Sequence, residues 1–252
     1  MAKEQNSVTG TRCSQSGALP GLDPQVYAKW RESELGAITE RLERRLMLAL
    51  VGDVAGVHVL EVGCGDGALA VELAQRGAVV VGVDASEQMI AAARKRAEAA
   101  GVDVTFRVGR AEVLPFDRDT FDLVVAQTIL CFVEDGSPAF GEIARVLHPG
   151  GKLVIGELGR WSTWAAERRL RAWLGSPLWQ RGHFRTPGEL KRLATRAGLI
   201  PGPVHGAVYY PRLTLAARWM SLADRALGRF TNVGAAFLAI AATKPIDSSA
   251  RP

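Results

Sequence analysis

Cysteine is scarce in this chain, with three in 252 residues, at Cys13, Cys64 and Cys131. They are odd in number, far apart and form no C-x-x-C pair. A disulfide framework and a cysteine-based zinc site are therefore excluded, no metal is expected, and a reducing cytoplasm fits. No apolar run approaches the roughly 18 residues of a spanning helix. Residues 1–20 are polar and lack the apolar stretch of a signal peptide, so residues 1–21 read as a disordered leader and 246–252 as a disordered tail. Long Lys/Arg blocks are missing as well. The net charge is +5, an excess that marks a solvated surface rather than a nucleic-acid footprint. Histidine is rare, with four, and tyrosine rarer, with three, which leaves few candidates for proton transfer.

What is present is the balance of a globular domain: 48% hydrophobic and 23% charged residues. Residues 57–67, VHVLEVGCGDG, are an apolar run that breaks after Glu61 into Gly63, Gly65 and Gly67. A parallel strand buried on both faces reads as such a run, and glycines after it let a ligand lie against the backbone. A second run, AVVVGVD, closes on Asp84, where a carboxylate can take the two hydroxyls of a ribose. The dinucleotide fingerprint is G-x-G-x-x-G, with pyrophosphate on a helix N-terminus. Here the spacing differs, and Glu61 and Asp66 flank the loop. Two carboxylates repel a pyrophosphate and suit an ammonium or sulfonium centre.

These residues resemble the first motif of the class I S-adenosylmethionine (SAM)-dependent methyltransferases, E/D-x-G-x-G-x-G. The segment GRAEVLPFDRDTFDLVVAQTILCFVED (109–135) is similar to the family's adenine loop and fourth strand. Arg110 stands where the family has Asp, while Ala111 and Glu112 match. ARVLHPGGKLVIGEL (144–158) is similar to the family's R-V-L-K-P-G-G scaffold turn. The resemblance implies SAM as cofactor, held by Tyr27, Glu61, Gly63, Gly65, Gly67, Asp84, Ala85, Met89, Ala111, Glu112 and Gln127. In it the Ala111 N–H meets the adenine and the Gln127 carbonyl faces the methionine ammonium. It is closest to the small-molecule subgroup that includes quinone-biosynthesis and sterol methyltransferases.

Along the chain, one or two helices interrupted by Gly36 precede the first strand, with Asp23 as N-cap. Strands are predicted at 57–63, 78–83, 103–108, 121–127 and 151–158, with helices at 67–76, 86–100 and 137–147 between them. This alternation means a doubly wound, mainly parallel α/β sheet. Thr186-Pro187-Gly188-Glu189 predicts a capping box. Strands at 202–210 and 233–243 complete a seven-stranded Rossmann-like sheet, expected as five parallel strands plus a terminal antiparallel pair. One domain, 22–245, is expected, with 159–232 as a helical cover over the acceptor site.

Methyl transfer is an in-line displacement in which positioning supplies most of the rate, and a base is needed only for an acceptor that carries a proton. His183 is the candidate base, Glu157 a candidate acceptor-site carboxylate, and Tyr209 or Tyr210 the residue expected over the acceptor. Cys131 reads as a small buried hydrophobe. Trp161, Trp164, Trp173 and Trp179, interleaved with Arg168, Arg169 and Arg171, admit three readings: a core seam, an apolar acceptor pocket or an interfacial membrane surface. The local arginine excess suits an acidic substrate or an anionic membrane face. The function expected is methyl transfer to a small, partly apolar acceptor. Two rivals stand beside it: a quinone or lipid methyltransferase in peripheral contact with a membrane, and a SAM-binding regulatory protein without transferase activity. The oligomeric state is not legible.

Overall fold

The computed structural model describes residues 24–133 and 135–246, with only the backbone for 24–27. The expected leader, the Asp23 cap and all but Ile246 of the expected tail lie outside the described residues. Seven strands form one sheet: β1 His58–Val62, β2 Val79–Asp84, β3 Val104–Val108, β4 Phe121–Gln127, β5 Leu147–Leu158, β6 Ile200–Ala207 and β7 Phe237–Thr243. Their order is β3-β2-β1-β4-β5-β7-β6.

Alternate residues of the central strands face two separate cores, as the period of a strand requires. Val59, Val125 and Val154 face one, while Leu60, Val124 and Leu153 face the other. The first core is closed by α2 (Glu34–Val51), α3 (Ala68–Gln75) and α4 (Glu87–Ala100), and the second by α5 (Gly136–Val146) and α8 (Pro187–Arg196). Both faces being dry explains why these strands read as continuous apolar runs rather than alternating ones.

The expected antiparallel pair at the end of the sheet is present, as β6 and β7. β7 runs antiparallel to both β5 and β6, so β6 shares the sense of the first five strands and β7 alone is reversed. The register gives the reason. Ala207 at the end of β6 lies opposite Phe237 at the start of β7. The intervening helix α9 (Thr214–Phe230) therefore leaves and returns at one end of the two strands, as an antiparallel connection does. β6 also ends earlier than expected. Val208 takes a left-handed φ of 64°, and Asp224 of α9 accepts from the Val208 and Tyr209 N–H groups at 3.2 and 3.0 Å.

The N-terminal helices break at Ser33, not at Gly36. Ser33 separates α1 (Pro24–Glu32) from α2 and caps the latter by accepting from the Gly36 N–H at 3.1 Å. Gly36 lies inside α2 because a Cβ there would strike the Trp30 carbonyl. The capping box of α8 is formed on both sides: Glu189 accepts from the Thr186 N–H at 2.7 Å, and the Thr186 hydroxyl accepts from the Glu189 N–H at 3.3 Å. Between β5 and β6 the cover consists of α6 (Thr163–Trp173), α7 (Pro177–Gln180) and α8. No helix among the described residues is long and apolar enough to cross a membrane.

Candidate active site

The carboxyl ends of β1, β2 and β4 open into a cavity of about 1660 Å³, floored by the glycine loop and roofed by the cover. Single-ligand sites are roughly 300–1,000 Å³, so this volume suits two molecules side by side.

The three glycines of the loop serve different ends. A Cβ on Gly63 would collide with Ile129, and one on Gly67 would fall 2.9 Å from the Ala93 Cβ of α4. Gly65, at φ 52°, faces open space instead, so its backbone is the part of the loop left for a ligand. Asp84 is locked in place from the main chain. Its two carboxylate oxygens accept from the Gly65 N–H at 2.9 Å and the Ser86 N–H at 2.8 Å. Burial pushes its carboxyl above the usual range, and those backbone donors oppose the shift.

Glu61 and Asp66, alike in the sequence, part company here. Glu61 is buried, and its Oε2 has no hydrogen-bond partner. Burial pushes its carboxyl up to about 8, against the pull of the Arg44 charge. A carboxylate held so, at the wall of a cavity, fits an ammonium group that would restore its charge. Asp66 is already neutralised. Burial raises its carboxyl, but ion pairs to Arg31 and to Arg96, the latter at 2.6 Å, outweigh that and hold it below the usual range. Asp66 therefore ties α1 and α4 to the loop and is not left to face a sulfonium.

Ala85, Met89, Ala111, Glu112 and Gln127 line the same cavity. Arg110, in the position of the family's acid, pairs with Glu112 at 2.9 Å. The loop around Ala111 is braced from behind by Glu142, which accepts from the Leu114 N–H at 2.8 Å. Arg145 assists, donating to the Leu114 and Phe116 carbonyls at 3.0 and 2.8 Å. The side chain of Tyr27 lies outside the described residues; Trp30 and Arg31 of the same helix line the cavity.

Of the three candidates for chemistry, His183 lines the cavity, its main chain pinned by its N–H to the Cys131 carbonyl at 2.7 Å. Glu157 does not. It is fully buried, and its Oε1 accepts from the Leu130 N–H at 2.8 Å. It thus holds the 3-10 turn Leu130–Phe132, and burial pushes its carboxyl to about 7. Tyr210 is also turned away. It is 1% exposed, its hydroxyl meets the Thr39 hydroxyl at 3.0 Å, and its carbonyl accepts from the Trp164 indole at 2.7 Å. Burial pushes its phenol to about 12. Tyr209 donates its hydroxyl to the Thr231 carbonyl. Neither tyrosine covers the acceptor, because the chain has already turned out of the strand at Val208.

The aromatic stripe divides between two readings. Trp164 and Trp179 line the cavity, whereas Trp161 and Trp173 are 60% and 82% exposed. Cys131 is fully buried, its thiol bonded to the Thr128 carbonyl at 3.0 Å.

Glu43 is a lining residue that the sequence reading missed. It accepts from the Gln127 side chain at 3.4 Å, and burial pushes its carboxyl to about 7. The signal was available: Thr39, Glu43 and Met47 are four residues apart, so two polar residues share a helix face with a core methionine. No group of acids, histidines and cysteines among the described residues could hold a metal.

Known proteins bear on this site. Residues 60–155 match the family model described as a methyltransferase domain. The Ubiquinone biosynthesis O-methyltransferase of Dinoroseobacter shibae is 36% identical over 180 residues, covering 68% of this chain and 70% of its own. Among solved structures, a SAM-dependent methyltransferase from Thermotoga maritima, possibly a histamine N-methyltransferase, has a TM-score of 0.66. At 24% identity, the match covers 87% of this chain and 95% of that one. The magnesium protoporphyrin IX methyltransferase of Synechocystis, with bound S-adenosylhomocysteine, has a TM-score of 0.62 at 17% identity, covering 84% and 85%.

Proposed function

The chain belongs to the class I SAM-dependent methyltransferases, and from that premise we propose that it methylates a hydroxyl group on a small, partly apolar acceptor. SAM is its cofactor and, when bound, supplies a methyl carbon activated by a sulfonium. The observation that carries the acceptor reading is the single continuous cavity. It has the unpartnered Glu61 oxygen and Asp84 at one pole, and Glu43, His183, Trp164 and Trp179 at the other. The name of the Dinoroseobacter relative adds O-methylation as the reaction type.

The residues divide the work accordingly. Asp84 takes the ribose, Glu61 the ammonium, and the Ala111 N–H the adenine, with Met89, Ala85, Glu112 and the glycine loop around them. Glu43, joined to Gln127 at the end of β4, receives the acceptor's proton. A carboxyl near neutrality can do so at working pH and release it again. His183 across the cavity is the second candidate, since it too lines the acceptor pole. The cover excludes water from the transfer, which strengthens every charge inside. The domain extends over 22–245, with 159–232 deciding the acceptor.

Purified protein with labelled SAM and a panel of phenols, alcohols, amines and thiols tests this reading by S-adenosylhomocysteine release. Turnover confined to hydroxyl acceptors is expected. Glu43→Gln should lower kcat at least tenfold and remove an ionisation near pH 7 from the rate profile. Should His183→Ala remove it and Glu43→Gln leave it, the histidine is the base. Turnover on amines or thiols alone overturns the O-methyl reading.

A further inference from the structure

The cover carries a guanidinium whose N–H groups no acid among the described residues takes up, although the Glu43 carboxyl faces its charge. Arg168 of α6 lines the cavity and rests against ring faces: its guanidinium carbon lies 5.2 Å from the centre of the Trp164 ring and 4.6 Å from that of Trp179. Its Nε is sequestered from solvent and has no hydrogen-bond partner. Arg212 stacks on the same Trp164 ring at 5.2 Å, and its Nε is sequestered and unpartnered too. The Glu167 carboxylate, which could have balanced them, is shared between Arg212 at 3.0 Å and Arg171 at 2.7 Å. Glu43 is the acid that faces Arg168, and it spends its hydrogen bond on Gln127.

Two neighbouring guanidinium groups repel one another, and burial penalises each. Arg168 is accordingly pushed down to about 10, by desolvation first and in part by Arg212. Stacking on indole offsets some of this penalty, but it leaves the N–H fork unused. An N–H fork is built for bidentate contact with a carboxylate. Arginines placed this way at a cavity wall, between flat rings, are a recognition site in want of its anion.

We propose that the acceptor is a flat, largely apolar carboxylic acid, whose carboxylate is bound by Arg168 with Arg212 beside it while its ring lies in the cavity that they and Trp179 wall. This rests on the methyltransferase reading of the same cavity and narrows it to one substrate class. The site lies on the cover and not at the ends of β1 and β2, where Glu61 and Asp84 stand, which separates it from the cofactor pole. SAM carries a carboxylate of its own, so the test must tell the two sources apart.

The test is calorimetry on the full chain saturated with S-adenosylhomocysteine, using benzoate, 4-hydroxybenzoate and indole-3-acetate, each against its methyl ester. At least one acid should bind tenfold or more tightly than its ester. Arg168→Gln should abolish that preference and Arg168→Lys keep part of it, while SAM affinity of the free protein stays within threefold in both variants. The lysine variant retains the charge and so guards against a glutamine variant that does not fold. The proposal is overturned if no acid binds more tightly than its ester, or if the preference survives in Arg168→Gln. It is also overturned if SAM affinity falls tenfold, because the arginine would then serve the cofactor's carboxylate. Failure of SAM to bind the unmodified protein would instead strike the methyltransferase reading itself.

Discussion

At the glycine-loop pole, ligand-facing groups are fixed by the main chain, whereas at the cover pole they are fixed by rings and guanidinium groups. Asp84 is held by the backbone N–H groups of Gly65 and Ser86. The loop around Ala111 is held through the Leu114 N–H and the Leu114 and Phe116 carbonyls. In the cover, Arg168 and Arg212 rest on Trp164, and Trp164 in turn is held by the Tyr210 carbonyl. The first pole needs few particular side chains and tolerates Arg110 where an acid is usual. The second depends on every side chain in the stack. A cofactor common to a family can be bound by backbone, while an acceptor particular to one enzyme has to be read by side chains.

The largest effect expected at the cofactor pole is from Asp84→Ala. It removes both the carboxylate proposed for the ribose and the clamp on Gly65, a loss of roughly 2–4 kcal/mol for charge-assisted hydrogen bonds to a desolvated partner. SAM affinity by calorimetry should fall at least tenfold, and an unchanged value would dissolve the contrast between the poles.

Buried acids behind the cavity should leave a mark of similar order on stability. Glu157 has its carboxyl raised by burial from 4.5 to about 7. Between those values the folded state holds a proton that the unfolded state has released, so stability is fully present below about pH 4.5 and is lost as pH rises through 7. For a fully buried group this is on the order of 2–4 kcal/mol. Thermal unfolding from pH 5 to 8 should show the decline, and Glu157→Gln, neutral throughout, should lessen its slope, with Glu61 and Glu43 accounting for what remains. A slope unchanged in the variant would return Glu157 to the list of solvated acids.

Tyr210→Phe sharpens the comparison from the other side. It removes only the contact with Thr39, so about 1 kcal/mol of stability should go, with kcat within twofold. A collapse of turnover would put the hydroxyl back over the acceptor. The smallest effect is expected from Arg110→Ala, whose side chain is 62% exposed and paired with Glu112. SAM affinity should stay within twofold, whereas Ala111→Pro, which deletes the N–H, should weaken it clearly.

The reach of the sequence followed the same division. The strands of the cofactor half announce themselves because both faces are buried, and Gly63–Gly67 with Asp84 announces a nucleoside site because loop geometry demands those residue types. Glu61 and Glu157, by contrast, look equivalent: each is an acid near the end of an apolar strand. Packing alone assigned one oxygen of Glu61 to the cavity wall and Glu157 to the 3-10 turn behind it. The two tyrosines were misplaced because nothing local predicts that Val208 leaves the strand under the pull of Asp224, fifteen residues and more along the chain. Glu43 was legible in principle, as a polar residue at core spacing, but its partner Gln127 comes from a distant strand.

From its own residues, then, the chain determined a mainly parallel sheet, a glycine loop and an acid at the end of the neighbouring strand, because these rest on periodicity and backbone conformation, which are local. Only the tertiary structure decided which buried acid lines the cavity, where the tyrosines point, and that Arg168 and Arg212 meet on one indole while Glu167 is spent on Arg212 and Arg171. Burial, and the charge imbalance it creates, are properties of segments brought together from far apart in the chain.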